Sequence, residues 1–136
     1  ELDTMLEKDS MYNTPPCWAI YMLGLVVKWI DEQGGLEVMK EKNEKKAKLL
    51  YDYLDQSDFY KPHAKKDARS NMNVTFTTPS KELDAEFVKE SIAAGMTNLK
   101  GHRSVGGIRA SIYNAMPYEG VEYLVNFMKE FEEKRK

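Results

Sequence analysis

Cysteine is almost missing from this chain. One thiol, Cys17, among 136 residues leaves no partner for an internal disulfide and fits a reducing compartment, most simply the cytoplasm. Its apolar neighbours mark it as a small buried hydrophobe rather than a nucleophile. Histidine is equally scarce, with only His63 and His102, so no zinc-binding set can be assembled. Neither sign of charge prevails: 20 Lys and Arg stand against 22 Asp and Glu, a formal net charge of -2. That balance removes any global basic field for holding nucleic acid or an anionic membrane, and anion binding has to be local. No apolar run reaches the roughly 18 residues of a membrane span. Repeats, low-complexity segments and a leader with a basic start and a small-residue cleavage site are all missing. The chain opens at Glu1 without a methionine, so we expect it to have been cut from something longer. What remains, 42% hydrophobic and 31% charged, suits one packed core.

Periodicity divides the chain into elements. Pro15 and Pro16 open a helix, since its first turn needs no amide donors, with Thr14 placed as the N-cap. The run Cys17 to Val27 is apolar on every side and continues through Trp29 and Ile30 until Gly34 and Gly35 stop it. A helix without a polar face has to be covered all round, by a large core of its own or by another domain or subunit. A partner surface is therefore expected here. From Leu36 to Tyr53, Leu36, Met39, Ala47, Leu50 and Leu54 keep helical spacing, and Lys40 to Lys48, Lys46 included, read as a solvated charged face. Ser57 to Ser70 reads as a loop with His63 on its surface, leading into a strand over Asn71 to Thr77. Pro79 and Ser80 start a helix over Lys81 to Ala94 with Leu83, Phe87, Val88 and Ile92 inward and Gly95 at its end. Short strands are predicted at Met96 to Leu99 and Ile108 to Tyr113, the latter putting Arg109 and Ser111 on one side and Ile108, Ala110 and Ile112 on the other. A last helix runs from about Pro117 to Lys134 on the stripe Val121, Leu124, Val125, Met128 and Phe131. Such an order predicts an α/β fold, a two-layer sandwich of a small, mainly antiparallel sheet with helices on one face.

The chemistry concentrates in Gly101 to Ala115, GHRSVGGIRASIYNA, which sets His102, Arg103 and Arg109 around a flexible glycine pair and then enters a strand. Guanidinium forks match the oxygens of carboxylates and phosphates, so the segment suits a small, multiply anionic ligand. On spacing alone it reads equally as a solvated loop between strands.

Three segments carry a resemblance. Gly101 to Ala115 resembles the C-terminal signature of the phosphoserine aminotransferase family, class-V members of the fold-type I pyridoxal-phosphate enzymes; Ser10 to Pro16, SMYNTPP, and Arg69 to Val74, RSNMNV, resemble two more of its signatures in the family's order. The likeness spans nearly the whole chain and implies the C-terminal domain fold of fold-type I pyridoxal-phosphate enzymes. It divides the chain into an inter-domain or dimer loop over 1–16, an apolar connecting helix over 17–35 and a small C-terminal domain over 36–136. The implied reaction is transamination between glutamate and 3-phosphohydroxypyruvate, giving phosphoserine and 2-oxoglutarate, in the serine biosynthesis of the cytoplasm.

By this likeness Arg109 clamps the substrate α-carboxylate, and His102 and Arg103 receive the distal phosphate or carboxylate. Asn13 and Thr14 bind the phosphate of pyridoxal 5'-phosphate held by the neighbouring subunit of a homodimer. The family's Schiff-base lysine, the aspartate on the pyridine nitrogen and the stacking aromatic have no counterpart in this sequence. The expectation is that this piece is inactive alone and needs an N-terminal large domain and a homodimer partner, with small anionic amino and oxo acids as substrates and neither nucleic acid nor membrane as partner. Two readings from other classes stand beside it: a stand-alone anion-binding or regulatory module, and a purely dimerising domain. Activity on the phosphorylated homologue used in vitamin B6 synthesis is left open.

Overall fold

The computed structural model describes residues 2–136, which form two compact units, one ending at Val38 and one of Met39–Lys136. In the first, the segment read as a loop contains a six-residue helix, α1 (Leu2–Glu7). A turn follows with positive φ at Asp9 (48°) and Ser10 (62°), closed by Ser10 N–H donating to Met5 O at 2.8 Å. Helix α2 (Cys17–Glu32) begins as the proline pair predicts, but its N-cap is Pro16 and no side chain caps it. Proline drives the residue before it out of the α region, so Thr14, two residues short of the cap, lies outside the first turn. No residue of α2 is buried, and Cys17 is exposed rather than the buried hydrophobe expected, because nothing in this unit packs over the start of the helix. Trp18 at 74% and Leu23 at 62% accessible show how bare the apolar surface stands.

The second unit holds most of α3 (Gly35–Gln56), then β1 (Lys61–Pro62), a 3-10 turn (Lys66–Ala68), β2 (Asn73–Thr77), α4 (Lys81–Ala93), β3 (Ile108–Ser111) and α5 (Tyr118–Glu133). The sheet is antiparallel in the order β1-β2-β3, with Thr75 opposite Arg109 and Phe76 opposite Ile108. Val74, Phe76, Ile108, Ala110 and Ile112 turn one face of it into a common core with Leu50, Phe87, Val121, Met128 and Phe131 from the three helices. Burying each large apolar side chain stabilises the unit by about 1.5–3 kcal/mol. Edge-on aromatic contacts add to this, with Phe87 centred 5.0 Å from Phe131 and 6.0 Å from Phe76. The predicted α/β two-layer sandwich is the observed architecture.

Sequence reading and structure part at definite places. Met96 to Leu99 is no strand: Gly95 (φ 84°) and Asn98 (φ 63°) break the extended run, leaving a single bridge between Lys100 and Ile108. Part of the segment read as loop pairs as β1. Leu36, in the first turn of α3, is 76% accessible and Ile92 is 56%, both read as inward; the buried place at the end of α4 belongs to Ser91, whose hydroxyl donates to Val88 O at 2.9 Å.

Lys46 departs furthest from expectation. Assigned to the solvated face, it is 2% accessible, and its ammonium donates to the carbonyls of Ile112 (3.2 Å), Tyr113 (2.7 Å) and Met116 (2.9 Å). The cause lies in helix geometry. Asn43, Lys46, Ala47, Leu50 and Leu54 form one buried stripe, whose polar end faces the turn after β3, where carbonyls have left the ladder. Asn43 joins there through its amide to Asn114 Oδ1 at 2.7 Å. Burial pushes the Lys46 ammonium below its ordinary pKa.

Candidate functional site

The loop between α4 and β3 owes its shape to its glycines. Gly101 N–H donates to Gly107 O at 2.8 Å, and His102 O accepts from Val105 N (2.9 Å) and Gly106 N (2.7 Å). A Cβ at Gly101 would lie 1.9 Å from Gly106 O, and one at Gly107, where φ is 66°, 2.7 Å from Phe76 O. These glycines permit a tight reversal against β2 rather than the flexibility read from the sequence. The reversal carries His102 and Arg103 at its exposed tip, where the His102 ring Nδ1 lies 2.7 Å from Ser104 Oγ. Among the described residues Arg103 forms no ion pair.

Arg109 stands on β3, on the face away from the core. Beside it Asn73 donates through Nδ2 to Tyr113 OH (2.7 Å) and accepts from Ser111 Oγ (3.0 Å), so the polar neighbours satisfy each other. The Nε of Arg109 is buried without a hydrogen-bond partner. A guanidinium rooted on a strand, with an unspent donor, is suited to a carboxylate from outside the chain.

A cavity of about 800 Å³ opens between α4 and the loop, lined by His102 and Arg103 among others. Arg109 is not part of its lining. The chain thus brings two of the three predicted substrate residues to one concavity and sets the third on the open face of the sheet. Asn13 and Thr14 lie in the first unit, exposed on the segment before α2, with no hydrogen bond from either side chain among the described residues.

Two lysines escaped the site prediction: Lys81 and Lys100 line the cavity, and their only sequence signal was their adjacency to Ser80 and Gly101. Among the described residues no group of acids, histidines and cysteine could hold a metal ion, and no helix is long and apolar enough to cross a membrane.

A small antiparallel sheet with helices on one face displays cationic side chains from a strand and from a glycine-closed loop. The profile of Aminotransferase class-V matches residues 1–124. The chain belongs to the class-V aminotransferase family. It is 61% identical over 132 residues to the phosphoserine aminotransferase of Desulfatibacillum aliphaticivorans, covering 96% of this chain and 37% of that one. Among solved structures, phosphoserine aminotransferase from Bacillus circulans subsp. alkalophilus matches with a TM-score of 0.91 at 54% identity, over 99% of this chain and 38% of that one. The phosphoserine aminotransferase of Trichomonas vaginalis, solved with PLP bound, matches with a TM-score of 0.85 at 41% identity, over 94% of this chain and 37% of that one. The chain therefore spans little more than a third of the length of these relatives.

Pyridoxal phosphate can be tested against the side chains present. Asn13 and Thr14 offer an amide and a hydroxyl with unspent hydrogen-bonding capacity, a donor set that suits a phosphate without adding charge. The buried lysine, Lys46, spends its three N–H bonds on carbonyls and has none to give a cofactor. The residues fit the phosphate end of the group, and among the described residues no buried lysine is free to hold its other end covalently.

Proposed function

We propose that this chain is the C-terminal part of a pyridoxal-phosphate-dependent transaminase that interconverts 3-phosphohydroxypyruvate and glutamate with phosphoserine and 2-oxoglutarate. The observation that carries this reading is the Arg109 guanidinium, rooted on β3 with a buried, unpartnered Nε on the open face of the sheet. All four substrates share an α-carboxylate and differ at the distal end, phosphate in one pair and carboxylate in the other. Arg109 grips the shared end in bidentate fashion. His102 and Arg103 take the distal group, where matching charge matters more than matching shape, so one pocket serves both pairs. Asn13 and Thr14 donate to the cofactor phosphate in the neighbouring subunit of a homodimer, and α2, apolar all round, is the surface through which that dimer and the large N-terminal domain cover this chain. When bound, pyridoxal phosphate supplies the electron sink. In domain terms, 1–16 reaches the neighbouring subunit, 17–35 connects and 36–136 carries the substrate side chains, in an enzyme of the cytoplasm.

The test is the reaction itself. Full-length protein supplied with phosphoserine and 2-oxoglutarate is expected to release glutamate in a coupled assay. Phosphate-free serine should be turned over far more slowly, for want of a distal anion. Equal rates with serine, or no glutamate formed in the presence of pyridoxal phosphate, would overturn the assignment.

A further inference from the structure

An acid stands where the distal end of the substrate calls for cations. The cavity between α4 and the loop is lined by Lys81, Lys100, His102 and Arg103, and its one carboxylate is Asp84, in the first turn of α4. Among the described residues Asp84 forms no ion pair, and neither do Lys81, Lys100 or Arg103, so the acid is not there to neutralise one particular cation. It is held instead by a neutral neighbour: Oδ1 accepts from Thr78 N at 2.8 Å and from Thr78 Oγ1 at 2.9 Å, and Thr78 is buried. These two bonds fix the position of the carboxylate without cancelling its charge. An asparagine could accept both through its own oxygen. Beyond its favourable place in the field of the helix end, what the acid alone contributes is a fixed negative charge in the wall of an anion-binding cavity.

Charge is what separates the two distal groups. A phosphate monoester carries about -1.5 to -2 near neutral pH, a carboxylate -1. Coulomb energy scales with the product of the charges, so a wall of cations alone favours the dianion by the square of the factor by which it favours the monoanion. A fixed negative charge works in the opposite sense and takes most from the dianion. We propose that Asp84 is a specificity-determining residue, whose carboxylate lowers the cavity's preference for phosphate over carboxylate and so lets both kinds of distal group bind with comparable strength. A transaminase needs this balance, because each turnover passes one group of each kind through the same place. The discrimination is a property of the cavity; its consequence for the substrates rests on the distal-group role of His102 and Arg103 given under Proposed function.

The test is Asp84→Asn in the full-length protein, at pH 8 and constant ionic strength. Removing the charge is expected to lower KM for phosphoserine by about 10-fold and KM for glutamate by about 3-fold, the square-root relation of a dianion to a monoanion. The gain is in uniform binding, so kcat should stay within about 3-fold. A damaged fold does not tighten binding. Thr78→Val removes one of the two bonds and keeps the charge, and it is expected to lower neither KM. Inorganic phosphate and acetate, titrated against labelled Ala85 and Val88 methyl groups on the α4 wall, read the same charge effect without turnover: the Asp84→Asn variant should need about 10-fold less phosphate and about 3-fold less acetate. Equal tightening for both anions, no tightening for either, or the same gain in Thr78→Val overturns the proposal. If phosphate and acetate separate as expected while neither KM moves, Asp84 still sets the cavity's anion preference, and it is the distal-group reading under Proposed function that fails.

Discussion

Replacing Lys46 by methionine is expected to destabilise the second unit by about 3 kcal/mol, although the substitution adds apolar character to a buried position. Three charge-assisted hydrogen bonds are lost, each worth about 1.5–3 kcal/mol. The loss is offset because a buried ammonium costs several kcal/mol to desolvate and because methionine keeps most of the aliphatic stem in place. Of the three carbonyls, that of Ile112 is reached through a fully buried bond, whereas those of Tyr113 and Met116 lie part-buried, where water can replace the lysine. One orphaned carbonyl plus the loosened turn sets the net figure. Hydrogen exchange of the amides that join β3 to its neighbours, Arg109 N to Leu99 O and Ile112 N to Met72 O, reads it directly. A loss of 3 kcal/mol speeds their exchange by roughly 150-fold if they open with the unit. Exchange accelerated less than about 2-fold would show that the ammonium contributes no net stability and would refute the reasoning.

Two further perturbations probe the loop and the entry to β2. Gly101→Ala places a methyl group where Gly106 O already lies 1.9 Å away; the loop must open, at a cost of about 1–3 kcal/mol, and the denaturant midpoint should fall while KM for the phosphorylated substrate rises. Asp55 accepts both arms of Arg69, at 2.5 and 2.9 Å, and that guanidinium holds its carboxyl down to about 2. A depressed carboxyl stabilises the fold above its unfolded pKa of about 3.9 and loses that contribution as pH falls through its folded value. The pair is partly exposed, so after screening it is worth about 1 kcal/mol. Asp55→Asn should remove that amount at pH 7 and flatten the stability profile between about pH 4 and 2, measured by urea unfolding; an unchanged acid slope would exclude Asp55 as its source.

How far the sequence reaches depends on what kind of interaction decides each position. Helix α5 was legible to within a residue because Val121, Leu124, Val125, Met128 and Phe131 are all apolar and all buried, so pattern and packing agree. Alternation likewise set Arg109 opposite the core-facing Ile108 and Ala110, and Ser80 caps α4 by accepting from Leu83 N at 3.2 Å. What escaped is tertiary. Lys46 is indistinguishable from its neighbouring lysines until the turn after β3 is folded against it. Leu36 and Ile92 fall on the inward phase of their helices but at ends that nothing in the unit reaches. In the site, residue types pointed to anion binding, whereas their distribution, with His102 and Arg103 on a cavity and Arg109 on the sheet face, followed from a reversal that only the close approach of Gly101 to Gly106 O explains.

The central claim is that Arg109 grips the end common to every substrate. Arg109→Ala in the full-length protein is the most direct measurement of it, with kcat/KM determined separately for phosphoserine and for glutamate. Removing one partner of a buried charge pair costs about 2–5 kcal/mol, so both values are expected to fall together, by at least about 30-fold. A loss confined to phosphoserine would place Arg109 at the distal group, and unchanged values for both would contradict the account.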